Sequence, residues 1–140
     1  MTYPTIIKIQ MRWGEMDAFG HLNNVLYMRY FETARVQYFE KMPAFNNFAD
    51  AVKPVLVSIN GEFKQSVVYP DTLTISVGVK KMGNASMTMA CEMYSEKGFL
   101  AFVGECVIVM VDLEKQRPQR ITEELRNYVL QIEGQHLLDK

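Results

Sequence analysis

The stretch from Asn24 to Lys41 contains neither glycine nor proline, and Tyr27, Phe31, Ala34 and Tyr38 fall on it at helical spacing. Met28 and Phe39 widen that stripe. A helix apolar over so broad an arc is expected to be buried on more than one side. After Pro54 the period changes to two. Val55, Val57, Ile59 and Phe63 alternate with Ser58, Asn60, Glu62 and Lys64. Leu73, Ile75, Val77 and Val79 alternate with Thr72, Thr74, Ser76 and Lys80, and Met87, Met89, Cys91 and Met93 with Ser86, Thr88, Ala90 and Glu92. One long apolar helix followed by half-buried strands is satisfied by laying the helix on an antiparallel sheet, an α+β two-layer arrangement.

Local signals place the remaining boundaries. Ile6 to Trp13 reads as a strand with Ile7, Ile9, Met11 and Trp13 on one face. Gly14 to Leu22 has two glycines and no period, so it reads as a loop. Asn23 or Asn24 suits a helix N-cap, because its side-chain oxygen can accept an orphan backbone N–H. The helix is then predicted to run to about Lys41, roughly 27 Å at about 1.5 Å per residue, with Pro43 closing it. Residues 44–53 read as irregular or a short helical turn. Gly83-Asn84 and Glu96-Lys97-Gly98 are turns between antiparallel strands, and Phe99 to Val111 is a long apolar run. A final amphipathic helix is predicted over Thr122–Glu133, with Leu125, Tyr128, Val129 and Ile132 inward. Residues 1–140 thus form one domain: a five-stranded antiparallel sheet wrapped around one long central helix, with a short C-terminal helix. So small a chain would leave much apolar surface uncovered, which dimerisation would hide.

Composition narrows the partners. Hydrophobic residues make up 49% and charged residues 22%, the profile of a soluble globular chain. A net charge of −1 provides no basic field for nucleic acid and no polybasic surface for anionic lipid, so an anionic ligand would need a local cluster of cations. Cys91 and Cys106 sit in strand-like apolar stretches and read as reduced core cysteines. No His, Cys or carboxylate set has metal-ligand spacing, so no metal or redox cofactor is expected. With no secretory leader pattern and no span-length apolar run, the expected location is cytoplasmic, away from membranes.

The chemistry concentrates between Arg12 and Tyr38. Asp17 lies in a glycine-containing loop just before the long helix. A helix N-terminus supplies free N–H donors and the positive end of the dipole. Such donors polarise a carbonyl and stabilise the oxyanion that forms on it. A carboxylate beside them suffices to hydrolyse an activated acyl group such as a thioester. An aspartate before a helix is equally a cap or a turn former.

The run Met16-Asp17-Ala18-Phe19-Gly20-His21-Leu22-Asn23-Asn24-Val25-Leu26-Tyr27-Met28-Arg29-Tyr30-Phe31-Glu32-Thr33-Ala34-Arg35 resembles the signature of the 4-hydroxybenzoyl-CoA thioesterase-like hotdog family, and most of all its acyl-CoA thioesterase branch. The pattern D-x-x-G-H-x-N-N-x-x-Y carries the likeness, with weaker agreement in strand order over Ile6 to Ile121. The resemblance implies a hotdog fold and hydrolysis of acyl-CoA or acyl-carrier-protein thioesters. It makes Asp17 the catalytic carboxylate, as nucleophile or general base. Backbone N–H groups near Asn24 and Val25 would form the oxyanion hole. His21 would sit beside the reacting carbonyl or order the loop. Tyr27 would face the substrate cleft, although its position equally fits the helix's core stripe. Val57, Ser58 and Ile59 would contact substrate. Ten methionines offer adaptable lining for an acyl tunnel or core filling. Lys80, Lys81, Lys115, Arg117 and Arg120 are candidates to meet the phosphates of coenzyme A, present only as part of the substrate. In the family the active site lies between two subunits, so a homodimer is implied, often paired into a homotetramer.

Some related hotdog enzymes place their acid on the long helix, where this chain has Glu32; an ion pair with Arg29 or Arg35 explains that residue as well. Plant acyl-carrier-protein thioesterases carry an asparagine two residues after the aspartate, where Phe19 stands here. Asp17 and His21 loosely imitate the pair of a hotdog enoyl-thioester hydratase, but the Asn-Asn-x-x-Tyr continuation argues against it. A non-catalytic acyl-thioester binding module is the remaining alternative.

Overall fold

The computed structural model describes residues 1–42 and 51–134. Strand β1 (Thr5–Gln10) leads through a 3-10 turn (Trp13–Glu15) and a loop into helix α1 (Asn24–Tyr38). Strands β2 (Val52–Phe63), β3 (Thr72–Met82), β4 (Ser86–Ser95), β5 (Leu100–Asp112) and β6 (Arg117–Pro118) follow, then helix α2 (Glu123–Glu133). All pairings are antiparallel, in the order β1-β3-β4-β5-β2, with β6 beside β5. The sheet therefore has six strands where five were expected. The chain reverses through Gln116, at φ 55°, and lays two residues back on β5. A segment that short shows no period in a sequence.

The helix is shorter than its apolar stripe predicts: 15 residues, roughly 22 Å. Asn23 is the cap, its side chain accepting from the Val25 N–H at 3.1 Å. At the other end Glu40 N–H reaches Gln37 O, and Met42 N–H reaches Phe39 O. These tight i→i+3 turns swing Phe39 and Met42 into the core, where both are buried. The apolar stripe thus continues past Tyr38 while the helix does not. Pro43 and the expected irregular segment over 44–50 lie outside the described residues. β2 already begins at Val52, and Pro54 sits within it. Proline is tolerated there because β2 is an edge strand.

The interior is closed on the β3–β4–β5 side. Leu73, Ile75 and Val77 of β3, Met87, Met89 and Met93 of β4, and Phe102 of β5 are fully buried with Phe31 and Ala34 of α1. Burying each large apolar side chain contributes about 1.5–3 kcal/mol. The β4 methionines are thus core fillers. Met11 is buried as expected, but Trp13 is 71% exposed, because the strand ends at Gln10 and the 3-10 turn rotates the indole outward. Gly61 and Gly104 pair across β2 and β5, and the Phe102 ring lies over both. A Cβ at Gly104 would come within 2.7 Å of that ring and 3.3 Å of Phe31.

β2 carries a bulge. Leu56 pairs with Ile108 and Ser58 with Val107, leaving Val57 as the extra residue. Before the bulge Pro54 and Leu56 face the α1 side; after it Ile59, Gly61 and Phe63 do. Simple alternation put Val55 and Ile59 on one face, and the bulge puts them on opposite faces.

α2 starts at the Thr122 cap and buries Leu125 and Val129, with Tyr128 and Ile132 half-buried. Its last turn also buries Glu133, whose Oε2 accepts from the Tyr38 hydroxyl at 2.6 Å and from Val79 N–H at 3.0 Å. Because β1 starts at Thr5 opposite Val77, Val79 projects past the end of β1, and Glu133 serves as its acceptor. Burial first, and the carboxylate second, raise the Tyr38 phenol far above its usual range.

Candidate active site

The loop between β1 and α1 is folded by its own backbone. Met16 bridges Leu22, Asp17 N–H donates to His21 O at 2.9 Å, and Gly20 N–H returns to Asp17 O at 3.1 Å. Gly20 sits at φ +84°, a left-handed conformation that glycine adopts without strain. Leu22 N–H donates to Val67 O at 2.8 Å, tying the loop to the segment that follows β2. Glu15 secures the other side. Its Oε1 accepts from Arg12 N–H and from the Tyr30 hydroxyl, both at 2.6 Å, and its carbonyl accepts from Asn23 N–H. Glu15 lines a different hollow from Asp17.

Asp17 is half-buried. Its Oδ1 accepts from Phe19 N–H at 2.9 Å and, more loosely, from His21 N–H at 3.4 Å. Its Oδ2 takes no hydrogen bond among the described residues. Asp17 lines a cleft of about 420 Å³ together with Phe19, His21, Asn24, Tyr27, Phe63 and Lys64, and with Leu22, Gln65 and Ser66. The loop residues come from the motif; Phe63 to Ser66 come from the end of β2. That second wall was missed from the sequence, where only a polar run after an apolar strand marks it.

The expected site residues divide. Asp17, His21, Asn24 and Tyr27 share the cleft. Asn24, the first residue of α1, has a backbone N–H with no partner among the described residues, whereas the Val25 N–H is held by the Asn23 cap. Val25 itself is 69% exposed. Tyr27 lines the cleft yet is buried, stacked on Phe102 and edge-on to Phe63, each at 5.2 Å. Burial raises its phenol pKa. Val57, Ser58 and Ile59 do not line the Asp17 cleft. They lie midway along β2, Val57 and Ser58 exposed and Ile59 half-buried.

Glu32 is also absent from the cleft. It lines a separate hollow nearer the C-terminal end of α1, and it forms no ion pair with Arg29 or Arg35 among the described residues. Arg35 turns inward over the Phe31 ring instead. The cations expected to meet phosphates lie at the end of the sheet away from Asp17 of the same chain. Gln10 pairs with Thr72 at the Asp17 end of β3, while Lys80 and Lys81 are at its other end, and Arg117 pairs with Asp112 at the far end of β5. Lys80 is bound to Glu105 at 2.9 Å and Arg120 to Glu123 at 3.5 Å. Lys64 is the cation that lines the cleft, and it pairs with Glu62 at 2.5 Å.

No metal-holding group of three or more His, Cys, Asp or Glu occurs among the described residues, and no helix there is long and apolar enough to cross a membrane. A loop carboxylate facing a helix N-terminus fits acyl chemistry, and comparison with known proteins agrees. YsmA of Bacillus subtilis is 29% identical over 123 residues, covering 88% of this chain and 83% of YsmA. The long-chain acyl-CoA thioesterase FadM of Escherichia coli is 26% identical over 127 residues, 89% of this chain and 96% of FadM. The PA5185 protein of Pseudomonas aeruginosa superposes with a TM-score of 0.84 at 27% identity, covering 94% of this chain and 93% of that one. Residues 11–129, from the end of β1 into α2, match the sequence profile of one family. With its sheet and helices arranged as in hotdog thioesterases, the chain belongs to the thioesterase-like superfamily.

Proposed function

We propose that this protein hydrolyses acyl-CoA thioesters to free acid and thiol, with Asp17 as the catalytic carboxylate. The observation that carries the reading is that Asp17, whose Oδ2 takes no hydrogen bond among the described residues, and Asn24, whose N–H likewise has no partner among them, line one cleft at the start of α1. The thioester carbonyl would point its oxygen at Asn24 N–H, where the helix dipole favours developing negative charge. Asp17 then either attacks the carbonyl carbon, expelling the thiolate and leaving a mixed anhydride for water to cleave, or takes a proton from the attacking water. His21 holds the loop through its backbone and lines the cleft beside Asp17, where its imidazole would meet the reacting carbonyl. The similarity to FadM supports a CoA thioester as the substrate.

The same reading calls for a second copy. Among the described strands β2 pairs with β5 alone, at the edge of the sheet, and it carries exposed Leu56, Val57 and Phe63. An apolar edge of that kind is a template for strand pairing, and a twofold pairing of two β2 edges is self-complementary. It would set Val57, Ser58 and Ile59 at the seam between two Asp17 clefts, which gives these residues a route to the substrate that one chain lacks.

The test is thiol release from short, long and aromatic acyl-CoAs by the wild type and Asp17→Asn. Release that falls by about 10²–10⁴-fold in the variant supports the carboxylate's role. Asparagine keeps the acceptor for Phe19 N–H, so the fold should survive. No release from any CoA thioester would overturn the CoA reading and direct the assay to acyl carrier protein, and after that to a binding module.

A further inference from the structure

Arg35 breaks the rule that buried charges are paired. It is 8% exposed, its Nη1 has no hydrogen-bond partner, and no carboxylate lies within ion-pair distance of it among the described residues. One face of the guanidinium is occupied: its Cζ sits 4.6 Å from the Phe31 ring centroid. Burial raises the pKa of the neighbouring Cys106 thiol, and the charge of Arg35 opposes that rise. A cation held there without a counter-charge is costly, so the arrangement points to an acceptor that arrives from outside the chain.

Arg35 lines a hollow of about 320 Å³ walled by Val36, Phe39, Pro54, Leu56 and Ile108. Those walls are apolar and offer the guanidinium no competing hydrogen-bond acceptor of their own. Glu32 is the other charged group on the hollow; it is exposed to solvent, so its field is screened more than that of Arg35. The hollow shares both its walls, α1 and β2, with the Asp17 cleft. Tyr27 and Phe63 bound the cleft, and Arg35 and Leu56 bound the hollow. Eight residues of helix separate Tyr27 from Arg35, roughly 12 Å.

We propose that Arg35 is a specificity residue that binds the distal carboxylate of an acyl group whose thioester end lies at Asp17, making ω-carboxyacyl thioesters the preferred substrates. The inference rests on the hydrolase reading above and names its substrate class. A guanidinium matches a carboxylate through two parallel N–H bonds. A methyl-ended chain of the same length would leave Nη1 unpaired, and a site built to satisfy a buried polar group discriminates against an analogue lacking the matching group.

The experiment compares matched pairs on the full-length protein: succinyl- with butyryl-CoA, adipyl- with hexanoyl-CoA, and sebacyl- with decanoyl-CoA. The expected result is a kcat/KM ratio of about tenfold or more in favour of the carboxylate at one chain length. In Arg35→Gln and Arg35→Lys that ratio falls toward one, whatever happens to the absolute rates. The wild-type ratio decides even where a variant fails to fold. A wild type that hydrolyses methyl-ended chains as well as carboxylate-ended ones at every length overturns the proposal and leaves the hydrolase reading intact. If it also becomes monomeric as Arg35→Gln, the hollow belongs to a second copy. Thiol release from no substrate overturns the hydrolase reading instead. Calorimetric binding then decides the subsite: adipyl-CoA bound more tightly than hexanoyl-CoA by the wild type but not by Arg35→Gln upholds it, and equal binding of both overturns it.

Discussion

The two flanks of the sheet are built to different standards of completeness. On the β3–β4–β5 side every inward position is filled: Ile75, Met87, Met89, Met93 and Phe102 lie against α1 with no exposed surface. On the β2 side the strand is bulged, it stands at the edge of the strand order, and two hollows lie between it and α1. The closed side is a self-sufficient core that fixes where α1 lies. The open side holds the candidate chemistry and the uncovered apolar surface. Stability and function are therefore separable by strand, with α1 serving both: Phe31 and Ala34 face inward, while Asn24 and Arg35 line the two hollows.

Substitutions can break that division. The largest effect is expected from Ser58→Lys, which places a charge at an exposed position of the β2 edge, at the proposed seam. Sedimentation should give the mass of a single chain, and thiol release should fall by about 10²-fold as the clefts lose their alignment. A variant that stays dimeric and fully active would remove the β2 edge from the assembly. Met89→Ala, on the closed flank, should do the opposite. Urea unfolding should register a loss of about 2–5 kcal/mol, with the ranking of substrates unchanged. A changed ranking would mean that the closed core reaches into the site. Tyr30→Phe removes the hydroxyl that Glu15 accepts and should cost about 1.5–3 kcal/mol, with a lower kcat because the loop bearing Asp17 is less well held. An unchanged kcat would make Glu15 and Tyr30 purely structural. The smallest effect is on Cys91. Burial pushes its thiol up to about 12, and the thiolate is the reactive form, so iodoacetamide at neutral pH should label it only after unfolding. Labelling of the native protein would show the closed flank to open readily.

The closed flank was largely legible in the sequence. The alternation in β3 and β4, the turns at Gly83-Asn84 and Glu96-Lys97-Gly98, and the burial of Leu125 and Val129 all follow from local period and turn chemistry. The motif loop was legible too, because Asp17, His21 and Asn24 are close in the chain as well as in space. What escaped depends on long-range pairing. Phe63 to Ser66 join the cleft only because Leu22 hydrogen-bonds to Val67. Glu133 is buried because β1 stops short of Val79. The end of α1 escaped for a different reason: Phe39 and Met42 are apolar whether a helix or a tight turn carries them inward.

The bulge at Val57 makes β2 sensitive to length rather than to identity. As the residue opposite no partner, Val57 sets the parity of the strand: with it in place, Leu56 and Ile59 both turn toward α1. Many side chains would be tolerated at such a position. Deleting it would turn either Pro54 and Leu56 or Ile59, Gly61 and Phe63 to the opposite face, because each one-residue slip reverses every side chain beyond it. Among relatives with this architecture, a gap or an insertion at this point would consequently mark a change of site more reliably than any substitution nearby.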